Sequence, residues 1–223
     1  MNTRLFVTAT GTGVGKTFVT RGLARALASR GSRVAALKPL ETGCVGGHAE
    51  DATALGRAAR RPELANAAGF YRATIPAAPY AASLGGDPAV PTTDDLIRAV
   101  RDASADATHV LIEGAGGLLV PLDPTRTTAD LIRALDAPAL VVAPDVLGVL
   151  SHVLTLTYAA HAHAIPLAGI VLSQHGPGDA SRATNARILA ERLPLPVFVL
   201  PPCLDDDDAL AEAVTTAGLL NLL

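Results

Sequence analysis

Ala9-Thr10-Gly11-Thr12-Gly13-Val14-Gly15-Lys16-Thr17 follows the apolar run Leu5-Phe6-Val7 and opens onto an Ala/Leu-rich stretch reaching Ser29. A strand, a glycine-punctuated turn and a helix in that order bring backbone N–H groups and a helix N-terminus together around an anion. This nonapeptide decides the fold. It predicts a first strand over 4–8, a first helix over 16–29 and a phosphate-binding loop between them. Gly13, Val14 and Gly15 would offer backbone amides to a nucleotide, Lys16 would reach its β- and γ-phosphates, and the Thr17 hydroxyl would bind Mg²⁺. The strict pattern G-x4-G-K-T calls for glycine at position 10, where Thr10 stands, so the loop is a variant.

Beyond the loop, short runs rich in Val, Ile, Leu and Ala alternate with helical stretches along the whole chain. Strands are expected over 33–38, 109–113, 139–143, 167–173 and 197–200. Helices are expected over 51–60, 92–103, 128–135, 147–164, 180–192 and 207–217. The strands are almost continuously apolar, as they must be when helices cover both faces of a sheet. The expected fold is a doubly wound α/β domain, a mostly parallel sheet between two helical layers, spanning 1–223. The proline-rich segment 61–91 breaks this rhythm and reads as a long loop over a site.

Only two lysines occur in the chain, Lys16 and Lys38, against sixteen arginines. Lys is retained where a compact ammonium is required, because a planar guanidinium neither fits a tight phosphate cradle as a point charge nor yields its proton near neutrality. Lys38 opens Lys38-Pro-Leu-Glu-Thr-Gly43 at the end of the second strand, where the ligand crevice of a doubly wound sheet lies. There its ammonium would stabilise a developing anion or a carbamate. Glu113 ends the buried strand His109-Val-Leu-Ile-Glu113 and precedes Gly114-Ala-Gly-Gly117, which makes it a candidate Mg²⁺ ligand. Asp51, near a helix start, is a second.

These segments, with Leu147-Gly-Val-Leu-Ser-His152 and Val199-Leu-Pro-Pro202, resemble dethiobiotin synthetase in order and spacing across nearly the whole chain. The resemblance implies an ATP- and Mg²⁺-dependent enzyme of biotin biosynthesis that joins 7,8-diaminopelargonate and CO₂ to give dethiobiotin, ADP and phosphate. An amine takes up CO₂ as a carbamate, and the carbamate attacks the γ-phosphate. The resulting carbamic–phosphoric anhydride is closed by the neighbouring amine. By resemblance Lys16, Lys38 and Thr12 serve catalysis, and Thr17, Asp51 and Glu113 hold Mg²⁺. Thr12, Lys38, Thr42, Gly117, Leu118, Leu147 and Ser151 contact substrate, the last two from the other subunit of a homodimer. The family's adenine-reading Asn is matched by Ser173, so other nucleoside triphosphates are expected to serve, with backbone around Pro201, Pro202 and Leu204 reading the base. One acid of 205–208 could hold ribose hydroxyls. The family's loop also begins with Gly where Ala9 stands, and often has acids at positions 11 and 13.

The alternative is a partitioning-type P-loop ATPase switch. It would want a signature lysine at the start of the loop, where Ala9 and Thr10 stand. A cobyrinate-type amidoligase would bring a glutaminase domain, and a GTPase an Asn-Lys-x-Asp motif. A net charge of −3 gives no reason to bind nucleic acid or an anionic membrane. No run is long and apolar enough for a signal peptide or membrane span, and Cys44 and Cys203 read as free thiols, so a cytoplasmic protein is expected.

Overall fold

Six strands pair side by side in one parallel sheet: β1 (Thr3–Ala9), β2 (Val34–Leu37), β5 (His109–Glu113), β6 (Ala139–Pro144), β7 (Leu167–Ser173) and β8 (Val197–Leu200). The computed structural model describes residues 2–223. The strand order is β2-β5-β1-β6-β7-β8, so β5 lies between β1 and β2 despite coming some seventy residues later. Thr3 stands opposite His109 and Val7 opposite Glu113, while Val34 also pairs with His109. The doubly wound, mostly parallel fold expected from the apolar runs is the fold of the molecule.

Period-two alternation sorts the strand side chains into two cores. Leu5, Val7, Leu111, Val142 and Val171 pack with Val19 and Leu23 of α1 (Lys16–Ser29), Leu55 of α2 (Glu50–Ala58) and Val214 of α8 (Asp207–Thr216). Phe6, Ile112, Val141 and Leu172 pack on the opposite face. There they meet Leu96 of α4 (Thr93–Ala103), Ile132 of α5 (Thr128–Leu135), Val153 of α6 (Val149–Ala162) and Leu189 of α7 (Asn185–Arg192). α1 and α8 pack so closely that a Cβ on Gly22 would come 2.7 Å from the Leu210 carbonyl oxygen.

The segment expected as a loop is more ordered than its prolines imply. Leu40–Thr42 (β3) and Tyr71–Ala73 (β4) form a separate parallel pair, with Glu41 opposite Arg72. Pro79 occupies the first turn of the short α3 (Pro79–Leu84), where its missing N–H costs no hydrogen bond. Strands of three residues carry too few positions for a periodicity to be read. The helix expected over 180–192 is divided: Ala180–Ala183 is a 3₁₀ turn, and the α-helix starts at Asn185. No helix among the described residues is long and apolar enough to cross a membrane.

Candidate active site

The order β2-β5-β1 sets three C-terminal strand ends side by side, and each delivers one charged element. β1 ends in the phosphate loop, β5 in Glu113 and β2 in Lys38. α2 adds Asp51 from its first turn. The side chains converge: Lys38 Nζ donates to Asp51 Oδ2 at 2.8 Å and to Glu113 Oε1 at 2.5 Å. Thr17 Oγ1 lies 2.9 Å from Glu113 Oε1 and 3.2 Å from Asp51 Oδ1. A hydroxyl has one proton, so Thr17 serves only one of these acceptors at a time.

Glu113 is fully buried, and its Oε2 has no hydrogen-bond partner among the described residues. A buried carboxylate oxygen left bare suits a cation, since isolated it carries the full cost of desolvation. No group of three or more His, Cys, Asp or Glu side chains among the described residues could hold a metal by itself. Two carboxylates and a hydroxyl instead fit Mg²⁺, which completes its octahedron with water and substrate phosphate.

Both lysines are buried. Burial, reinforced by the Lys38 charge, pushes Lys16 down to about 8, and among the described residues its Nζ donates only to the Gly11 carbonyl, at 3.1 Å. For Lys38 burial acts in the same direction, yet Glu113 and Asp51 outweigh it and hold the ammonium charged, above the usual lysine range. Asp51 is driven below the ordinary carboxylate range because Lys38 overcomes the effect of its burial.

Two cavities open on this cluster and a third lies on the other side of the loop's first residues, and Thr12 lines all three. The largest, about 840 Å³, runs over Gly13, Gly15, Lys16 and Thr17 toward Phe18, His175 and Asp205. A cavity of about 340 Å³ lies among Thr42, Asp51, Pro76, Pro79 and Gly116, so the proline-rich segment does wall a cavity. The third, about 470 Å³, is lined by Gly117, Leu118 and His152. Leu147 and Ser151 are exposed near the N-terminus of α6 and line none of these cavities.

Ser173 is buried beneath the phosphate loop. Its Oγ, without a hydrogen-bond partner, lies 2.9 Å from where a Cβ on Gly15 would sit, and Gly15 has φ 103°. Only glycine satisfies both conditions there. Two residues on, His175 enters the large cleft, its ring edge-on to Phe18 with centroids 4.2 Å apart and its Nε2 unpartnered. Pro201, Pro202 and Leu204 are exposed and outside the cleft lining, whereas Asp205 lines it.

Phe18, Glu41 and His175 are not marked by the sequence: Phe18 falls inside the first helix, Glu41 inside the segment 38–43, and His175 just past the strand over 167–173. The acids of 205–208 are more engaged than a solvated run. Arg21 pairs with Asp205 and Asp207, Arg57 with Asp207, and Arg25 with Asp208. Asp206 caps α8 through the amides of Asp208 and Ala209.

Comparison with known proteins follows the same outline. A family described as "AAA domain" matches residues 3–207. The chain is 41% identical over 175 residues to the ATP-dependent dethiobiotin synthetase BioD of Anaeromyxobacter dehalogenans (strain 2CP-C), covering 78% of each. It is 36% identical over 200 residues to the protein of the same name from Aquifex aeolicus (strain VF5), covering 89% of this chain and 88% of the other. Among solved structures, the cell division ATPase MinD of Pyrococcus furiosus superposes with a TM-score of 0.58 at 17% identity, covering 97% of this chain and 99% of that one. At that identity the likeness is one of fold.

Proposed function

The chain belongs to the dethiobiotin synthetase family, and on that premise we propose that it uses ATP to close the ureido ring of 7,8-diaminopelargonate with CO₂. It is an ATP-dependent cyclo-ligase of biotin biosynthesis. The observation that carries the site assignment is the meeting of Lys38, Asp51, Glu113 and Thr17 at the mouth of the phosphate loop, between a large cleft and a smaller cavity that share Thr12.

The large cleft takes the nucleotide. The amides of Gly13, Val14 and Gly15 and the Lys16 ammonium hold the phosphates, with the γ-phosphate toward Thr12. The smaller cavity takes the diamine, with Thr12 and Thr42 offering hydroxyls to its nitrogens. An amine adds to CO₂ and loses a proton to give a carbamate. Lys38 stabilises that anion where it faces the γ-phosphorus. The carbamate oxygen forms a bond to phosphorus as the bond to ADP breaks. The second amine then attacks the carbamoyl carbon and expels phosphate. Mg²⁺ held by Thr17, Asp51 and Glu113 would neutralise charge on the transferred phosphoryl group.

A second copy of the chain completes the substrate site in this reading. Leu119, in the wall of the cavity containing Gly117 and Leu118, is 49% exposed, and Leu147, just ahead of α6, is 81% exposed. Docking the partner's 147–152 segment there would cover these residues. It would also bring the α6 N-terminus, around Ser151, to the substrate carboxylate. Ser173 and the exposed Pro201, Pro202 and Leu204 leave the base loosely specified, so other nucleoside triphosphates serve as well.

The test is to incubate the protein with 7,8-diaminopelargonate, bicarbonate, Mg²⁺ and each nucleoside triphosphate. Stoichiometric dethiobiotin and phosphate are expected. Nucleotide hydrolysis without dethiobiotin would return the chain to the switch-ATPase reading.

A further inference from the structure

Glu41 is buried on β3, at the wall of the smaller cavity, and both of its oxygens are already committed. Oε1 accepts the Asp51 N–H at 2.8 Å and Oε2 the Ala52 N–H at 2.9 Å. These amides belong to the first turn of α2, whose N–H groups have no partner within the helix. The residue preceding that helix is Ala49, which has no side-chain acceptor to cap them. The cap comes instead from a strand ten residues back. That strand is itself braced by its pairing with β4, where Arg72 opposite Glu41 donates to the carbonyls of Lys38 and Ala65 at 2.9 Å each.

A carboxylate gripping two successive amides fixes how the first turn is rotated as well as where it starts. The same turn carries Asp51, whose side chain must point at Lys38 and Thr17 to join the cluster. We propose that Glu41 is a positioning residue: by clamping the amides of Asp51 and Ala52, it aims the Asp51 carboxylate into the nucleotide site. This rests on the assignment of Asp51 to the metal and phosphate site. With each oxygen engaged by a backbone amide of α2, Glu41 acts through Asp51.

The experiment is a double-mutant cycle in the full chain, combining Glu41→Ala, Asp51→Ala and the double variant. ATP binding is measured by calorimetry with Mg²⁺ and with chelator. Amide hydrogen exchange at residues 51 and 52 is followed in the ligand-free protein. Asp51→Ala and Glu41→Ala are each expected to weaken Mg²⁺-dependent ATP binding about tenfold or more. The double variant should be no weaker than Asp51→Ala alone, and binding in chelator should hardly change. The two amides should lose protection in ligand-free Glu41→Ala. Glu41→Gln, which keeps one acceptor oxygen, should fall between wild type and Ala, and it carries the same cycle if Glu41→Ala fails to fold. Normal Mg²⁺-dependent binding in the Glu41 variants, or losses that add independently to that of Asp51→Ala, would overturn the positioning role alone. Normal binding in Asp51→Ala would overturn both that role and the place of Asp51 in the site.

Discussion

Lys16 and Lys38 are the same residue, almost equally buried at 6% and 5% exposure, at the ends of neighbouring structural units, yet their surroundings act on them in opposite ways. Lys16 stands in the phosphate loop with one carbonyl for company, and burial lowers its pKa to about 8. Lys38 is locked between two carboxylates that hold its charge against the same burial. The difference assigns the work. An ammonium short of counter-charge gains most from an arriving phosphate, whereas one already neutralised by acids orders those acids and lends its field to a neighbour.

The largest effect should come from breaking the Lys38 cluster. Lys38→Ala leaves Glu113 buried without its counter-charge, so stability should fall by about 3 kcal/mol. Dethiobiotin formation should fall by about 10²- to 10³-fold. ATP affinity should stay within about tenfold, because the phosphate loop is intact. Chemical denaturation, turnover and calorimetry on one preparation check all three, and wild-type turnover in a folded Lys38→Ala protein would remove it from the chemistry.

Lys16→Arg should weaken ATP binding and turnover together, by about 10²-fold, because the guanidinium keeps the charge but overfills the cradle. Equal turnover in the Arg variant would mean that charge alone is needed there.

The lowered pKa of Lys16 gives a pH signature that Lys38 lacks. Below about pH 8 the ammonium is already charged. Above it the free protein must take up a proton to meet the phosphates, so ATP affinity should decline, approaching about tenfold per pH unit. Calorimetry in buffers of differing ionisation enthalpy would register that uptake. Affinity that is flat from about pH 7 to 9.5 would show Lys16 charged throughout.

The smallest effect expected is on base choice. Affinity held in the loop is base-independent, so CTP, GTP and UTP should support turnover within about tenfold of ATP, a gap of about 1.4 kcal/mol. A thousandfold preference for ATP in competition assays would point to a base reader in the cleft, with Phe18 and His175 the side chains to substitute first.

Much of this was legible because it is local. The nonapeptide 9–17 identified the phosphate loop, and the apolar runs marked every strand of the main sheet. Glu113 and Asp51 stand out in the sequence from their places at a strand end and near a helix start, and the fold brings both to Lys38 and Thr17. β3, β4 and α3 were not found, since elements of three to six residues among prolines leave no period to read. Glu41 was hidden for a different reason: its partners are backbone amides of another element, and nothing in a side-chain pattern marks them.

The sequence by itself determined the phosphate-loop signature, because that signature consists of residue types at short fixed spacing: Gly13, Gly15, Lys16 and Thr17 within five positions. Only the tertiary structure decided that Lys38 and Glu113, seventy-five positions apart, share a hydrogen bond. That contact depends on β5 entering the sheet between β1 and β2. Strand order is fixed by which apolar faces can be buried together over the whole domain, a property of packing that no local stretch of sequence contains.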